Sequence, residues 1–129
     1  MQFRELEDRV AGFLGVHALH LANRETLSYR GGEWFPMMSV VKLPVAMKIL
    51  MLIEARMLEL NRLVRVEPEE YSLGHAPLNK KYPSGFVCTV RQLLEWSILD
   101  SDNTAHDALF RLCGGPTNIQ PYMDQLRAA

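Results

Sequence analysis

The stretch that decides the fold is Phe35-Pro36-Met37-Met38-Ser39-Val40-Val41-Lys42-Leu43-Pro44-Val45-Ala46-Met47-Lys48-Ile49-Leu50-Met51-Leu52-Ile53. From Val40 to Ile53 it is apolar nearly all round a helix, the pattern of a helix at the centre of a larger body. With Lys42 and Lys48 in it, the run falls short of a membrane span. Ser39 stands at the start, where a hydroxyl caps a first turn, and Pro44 lies inside, where it costs or bends a turn. Lysine is almost never buried unless paired, so Lys42 is the anomaly. Three positions apart, Ser39 and Lys42 share one face of a helix. A serine is a weak nucleophile and needs a base beside it. A lysine at its ordinary pKa of about 10.4 is protonated and cannot serve. Burial lowers that value, and the positive end of a helix pushes the same way. On these two residues alone, the stronger reading is a capping serine and a lysine reaching past the helix end to solvent.

Further along stands Ser101-Asp102-Asn103, which offers a second hydroxyl and an amide. All three residue types are good helix caps, so this triplet too has a purely structural reading. Its weight comes from occurring in order with the Ser39-x-x-Lys42 pair. Around these two motifs the periodicity sets out the rest. Phe3, Leu6, Val10 and Phe13 fall on one face of a helix over residues 2–13. Residues 16–21 read as a strand apolar on both faces, 22–25 as a turn and 26–29 as the returning strand of a hairpin. The central helix region ends over 56–61, and Val64-Arg65-Val66 suits a short strand. Residues 67–88, with Pro68, Gly74, Pro77, Pro83 and Gly85, read as one long irregular segment. Thr89 and Gln92 form a capping box opening a helix to Leu99. The 101–103 triplet caps a helix to Cys113, and Gly114-Gly115-Pro116 divides it from a last one, Thr117 to Arg127, weakened by Pro121. The expected fold class is α+β: mostly helical, with an N-terminal helix and hairpin belonging to an incomplete antiparallel sheet.

At 129 residues the chain is one domain or a piece of one. Its 48% hydrophobic and 22% charged residues are those of a globular protein. A net charge of -1 without a basic run argues against nucleic-acid and anionic-membrane partners. The opening Met1-Gln2-Phe3-Arg4-Glu5 is charged from its fourth residue, unlike a signal peptide. Cys88 and Cys113 form no metal or redox motif and are expected as buried free thiols rather than a disulfide. His17 and His20 have no carboxylate or cysteine cluster beside them, so no metal site is expected.

These motifs together resemble the N-terminal half of the class A serine β-lactamases, members of the penicillin-recognising serine hydrolases, whose elements include S-x-x-K and S-D-N. The resemblance runs through Glu25-Thr26-Leu27-Ser28-Tyr29, Phe35 to Pro44, Thr89-Val90-Arg91-Gln92-Leu93-Leu94, Ser101-Asp102-Asn103-Thr104-Ala105 and Gly114-Gly115-Pro116. Pro77-Leu78, Lys81-Tyr82-Pro83 and Gly85 look closest to the extended-spectrum branch. It implies the β-lactamase fold, with residues 1–35 as helix and hairpin of the sheet domain and 36–129 as part of the helical domain. It also implies a β-lactam substrate, an acyl-enzyme on Ser39, and no metal or cofactor. Lys42 would be the proton partner of Ser39, and Ser101 would pass a proton to the departing lactam nitrogen. Asn103 would touch the substrate's side-chain amide and hold Lys42, while Asp102 would point inward to brace the loop. The Ser39 backbone N–H would form half of an oxyanion hole. The resemblance further implies a periplasmic or secreted parent. Two family elements have no match in the sequence: the glutamate that activates the deacylating water and the Lys-Thr-Gly strand. The expectation is therefore acylation without turnover. The alternatives are a truncated, non-catalytic scaffold or interaction module, and a D,D-peptidase-like penicillin-binding protein. A hairpin and a central helix that both lack cover predict self-association or a complementary C-terminal fragment.

Overall fold

The computed structural model describes residues 3–128. It is a mixed α and β chain with two small antiparallel sheets and a helical majority, as the α+β reading expects. Its contacts divide it into two compact units, Met1–Met37 and Met38–Ala129.

The first unit holds helix α1 (Phe3–Val10) and strands β1 (Val16–Leu19) and β2 (Thr26–Tyr29). The expected helix start at Gln2 lies outside the described residues. The helix stops before Phe13 because Ala11 turns into the left-handed region at φ 48°, and Val10 and Phe13 end up exposed. β1 and β2 pair antiparallel from Val16↔Tyr29 to Leu19↔Thr26. β1 is shorter than expected because the chain turns at His20, whose carbonyl accepts from the Arg24 N–H at 2.8 Å. Buried Glu7 ties the unit together. Its carboxylate accepts from the Leu14 N–H (2.9 Å) and the Tyr29 hydroxyl (2.7 Å) and pairs with Arg30 (3.0 Å). These donors hold its pKa below the usual carboxylate value, the Leu14 bond contributing most.

The second unit contains α2 (Lys42–Glu54), β3 (Leu63–Val66), α3 (Pro77–Lys81), β4 (Phe86–Thr89), α4 (Val90–Leu99), α5 (Asn103–Leu112) and α6 (Pro116–Ala128). Its core forms where α2, α4 and α5 meet the β3–β4 ladder: Val45, Ile49, Val90, Leu93, Ala105 and Leu109 are wholly inaccessible. Three expectations need correction. First, α2 begins at Lys42, after a 3₁₀ turn over Met38–Val41, so Ser39 caps no α-helix. Pro44 then lies in the first turn, whose N–H groups have no intrahelical acceptor, and it costs no hydrogen bond. Second, α2 is covered on one side only: Val45, Ala46 and Ile49 are buried, but Leu43, Met47 and Leu50 are exposed.

Third, residues 67–88 are not irregular throughout. They contain a 3₁₀ turn at Pro68–Glu70, the single-turn-scale α3, and β4, which pairs antiparallel with β3 from Leu63↔Thr89 to Val66↔Phe86. Gly85 opens β4 at φ +87°, and a Cβ there would stand 2.9 Å from the Val66 carbonyl, so only glycine fits. The two helix-start signals hold. Thr89 and Gln92 form the reciprocal box at α4, and Asp102 caps α5 by accepting from the Ala105 N–H at 2.9 Å. Both cysteines are buried free thiols, with burial raising their pKa values to about 11. No helix among the described residues is long and apolar enough to cross a membrane.

Candidate active site

The four candidate residues come from separate pieces of the second unit and meet in one place. Ser39 is exposed in the 3₁₀ turn, following Met38, which sits in the left-handed region at φ 48°. Lys42 opens α2 and is only 5% exposed. Ser101 lies in the turn between α4 and α5, also left-handed at φ 53°, and Asn103 is the first residue of α5. A non-glycine residue held in that region costs on the order of 1–3 kcal/mol and persists only where its surroundings enforce it. Two such residues flank the point where the hydroxyls converge.

At Ser101 the enforcement comes from its neighbour Asp102, which is wholly buried. One carboxylate oxygen accepts from the Ala105 N–H and the other from the Leu78 N–H, each at 2.9 Å, while the Asp102 N–H donates to the Trp96 carbonyl at 3.0 Å. Asp102 therefore joins α3, α4 and α5 at the loop that carries Ser101, the inward bracing that the resemblance implied.

The Lys42 amine donates to the Ser101 carbonyl (2.5 Å), the Ser101 hydroxyl (2.9 Å) and the Asn103 side-chain carbonyl oxygen (2.9 Å). Ser101 Oγ in turn donates to Ser39 Oγ at 3.1 Å. Among the described residues no hydrogen bond joins Ser39 and Lys42 directly. Sequence spacing put these two side chains in contact along a helix face. The 3₁₀ turn gives Ser39 a different path, and the Ser101 hydroxyl stands between them. Two of the three partners of the amine are carbonyl oxygens, which only accept. The third, a hydroxyl, both gives and takes a proton. A neutral amine satisfies all three by donating to the carbonyls and accepting from Ser101, so the proton's position along Lys42–Ser101–Ser39 is free to change. Burial pushes the Lys42 pKa below the ordinary lysine value, and the carboxylates of Asp102 and Asp107 pull it partway back.

Ser39, Lys42 and Asn103 line a cleft of about 500 Å³, whose walls include Met38, Leu73, His106 and Asp107. Met38 and Leu73 expose large apolar side chains at its mouth. Burial keeps the His106 pKa below its usual value, with Asp107 acting against that and Lys42 adding to it. Sequence reasoning gave none of these wall residues a part in the site. His106 and Asp107 follow Asn103 by three and four positions on α5, a spacing that would have found them. Leu73 lies in a segment with no periodicity to read.

A family model described as the β-lactamase enzyme family matches residues 1–129. Among curated relatives, β-lactamase L2 of Stenotrophomonas maltophilia is 35% identical over 121 residues, 94% of this chain and 39% of the relative. The extended-spectrum β-lactamase PER-1 of Pseudomonas aeruginosa is 40% identical over 96 residues, 73% of this chain and 31% of the relative. Among solved structures, the ancestral (GNCA) class A β-lactamase superposes with a TM-score of 0.85 at 33% identity, covering 97% of this chain and 47% of that one. A β-lactamase from Chitinophaga pinensis DSM 2588 gives the same TM-score at 30% identity, over 98% of this chain and 47% of that one. The chain spans less than half the length of the relatives it matches.

Proposed function

The chain belongs to the β-lactamase enzyme family, as an N-terminal portion of the class A serine type, and on that premise we propose that Ser39 is its acylated nucleophile. The observation that carries this is the hydrogen-bonded series from buried Lys42 through Ser101 to exposed Ser39. The neutral Lys42 amine draws the Ser39 proton through the Ser101 hydroxyl as Ser39 Oγ attacks the carbonyl of a β-lactam. The ring C–N bond then breaks, the acyl group stays on Ser39, and Ser101 returns the proton to the departing nitrogen. The Ser39 N–H supplies one oxyanion donor. Asn103 keeps one Nδ2 hydrogen free for a substrate amide, since Leu73 takes only the other.

The sequence contains neither a Lys-Thr-Gly nor a match to the deacylating glutamate, so the proposal for these 129 residues is slow acylation without turnover. Loss of a positioned general base costs on the order of 10²–10⁴ in rate. Incubation with a penicillin followed by intact-mass measurement tests both points. The expected product is a single persistent adduct that Ser39→Ala abolishes. An adduct surviving Ser39→Ala refutes the assignment, and no adduct at all favours a non-catalytic scaffold. Steady turnover of a chromogenic cephalosporin would refute acylation-only behaviour.

The exposed row Leu43, Met47 and Leu50 on α2, and the exposed Leu19, Leu21 and Leu27 of the hairpin, support a second part to this reading. These faces are covered by a complementary C-terminal segment or by a second copy of the chain. Sedimentation at micromolar concentration is expected to show self-association, and a cooperative monomer would refute it. The site of action is proposed as the periplasm or the exterior of the cell.

A further inference from the structure

The wall of the cleft facing Lys42 is built by a closed set of hydrogen bonds centred on Thr104, a residue 1% exposed. Its hydroxyl accepts from the Ser72 N–H at 3.0 Å and donates to the Asn79 side-chain carbonyl at 2.7 Å. The Asn79 amide closes the ring by donating to the Ser72 carbonyl at 3.0 Å. The Ser72 hydroxyl bonds to Asp107 as well. The Ser72 N–H is thereby tied to α5 and its carbonyl to α3, which anchors the chain as it enters Leu73. That carbonyl accepts from Asn103 Nδ2 at 3.0 Å. Gly74 follows at φ +81°, and even a Cβ there would press to 3.2 Å against the same Nδ2.

We infer that Thr104, with Asn79, is a positioning residue for Lys42: it fixes the Leu73 carbonyl, which decides which way the Asn103 amide faces. An amide has a donor end and an acceptor end of nearly the same shape. With Leu73 O held in place, Nδ2 is committed to it and Oδ1 must face the Lys42 amine. If that carbonyl moves away, the amide is free to rotate and turn a donor toward Lys42, which then loses one of its two carbonyl acceptors. The protonated amine suffers most, because hydrogen bonds to a charged group are the stronger ones. Thr104 touches neither substrate nor Lys42, and acts only through this chain of contacts. The other charged or titratable groups facing Lys42 are Asp102, Asp107 and His106, which act through charge rather than through the amide.

The inference rests on the proposed role of Lys42 for its catalytic meaning, but its test does not need hydrolysis. The chain has four lysines, so the 13Cε signal of Lys42 can be followed through a pH titration of the 129-residue protein, with the Asn103 side-chain amide signals as a second reading. Thr104→Val is expected to lower the Lys42 midpoint by about one pH unit or more and to shift the Asn103 amide signals. Thr104→Ser, which keeps the hydroxyl, is expected to restore both, and Asn79→Ala to reproduce the Thr104→Val changes. Asp107→Asn is expected to lower the midpoint by charge while leaving the Asn103 signals in place. Ser97→Ala, removing another buried hydroxyl that has no partner among the described residues, should change neither. A folded Thr104→Val with the Lys42 midpoint and Asn103 signals of the parent overturns the inference. Should Thr104→Val fail to fold, the half-buried Asn79→Ala decides on the same two readings. A failure of wild-type acylation with these shifts intact would count against the proposed function alone.

Discussion

Replacing Asp102 removes the brace that holds three helices around the Ser101 turn, and the size of the effect follows from its contacts. Its two carboxylate oxygens each satisfy one buried backbone N–H, at Ala105 and at Leu78. A hydrogen bond to a charged group contributes about 1.5–3 kcal/mol, and a buried donor left unmade costs a comparable amount. Asp102→Ala orphans both donors and removes the α5 cap, so about 3–5 kcal/mol is expected to be lost. Asp102→Asn keeps one acceptor and sets a donor against the other N–H, for about 1–3 kcal/mol. Against a total of about 5–15 kcal/mol for an ordinary domain, the alanine variant sits near the edge of folding. Urea unfolding followed by tryptophan fluorescence reads this cleanly: Trp96 lies among Phe86 and Tyr82, whereas Trp34 is 94% exposed and nearly silent. With a slope of about 1–3 kcal/mol per molar urea, the Asp102→Ala midpoint should fall by about 2 M. The asparagine variant should lie between that and the parent. A fall smaller than about 0.5 M for alanine, or equal falls for the two variants, would refute the brace.

Lys42 makes stability depend on pH in a stated direction. Its pKa is lowered on folding while the unfolded chain keeps the ordinary value near 10.4, so between the two the unfolded state binds more protons and stability rises with pH. Urea midpoints measured across that alkaline window should rise in the parent and flatten in Lys42→Met, and an unchanged rise in the variant would contradict the buried amine. Cys88 and Cys113, with thiols pushed up to about 11, should ignore Ellman's reagent at neutral pH in the native protein and both react in urea. Prompt native labelling of either would show its side chain reaching solvent. Gly85→Ala forces a Cβ into the Val66 carbonyl at a left-handed backbone, and about 1–3 kcal/mol should be lost in the same urea assay, with a neutral result showing that β4 can shift to admit it.

The parts of the site that the sequence makes legible are those fixed by local rules. The Ser39–Lys42 spacing, the Thr89–Gln92 box and the capping power of Ser101-Asp102-Asn103 are each decided within four residues of chain. What the sequence hides is set by tertiary contact. β4 is four residues long, too short for alternation to register, and it exists because β3 offers it a ladder. The wall residues Ser72 and Leu73 are ordered by bonds to α5, some thirty positions later. The left-handed backbone at Met38 and Ser101 violates local preference outright. At Ser101 the neighbouring Asp102 holds the turn through contacts that reach Leu78 and Trp96, some twenty-four and six positions earlier. Helix α2 shows the same division. Its continuous apolar run marked it as a helix and predicted cover on every side, yet only one side is covered among the described residues.

That one-sidedness bears on the chemistry. Lys42 is buried because Val45, Ala46 and Ile49, which follow it on α2, carry the helix into the core, while Ser101 and Asn103 close over the amine from the other side. The burial that lowers its pKa is therefore supplied by the second unit itself and does not wait on whatever covers Leu43, Met47 and Leu50. The Lys42 amine and the exposed apolar row proposed for assembly lie on the same helix but on different residues. A change such as Leu50→Glu should weaken association, read by sedimentation, and leave the Lys42 titration midpoint where it was. If the midpoint moves with the oligomeric state, the amine depends on its partner for its environment, and the second unit is not the self-sufficient half-site that its hydrogen bonds describe.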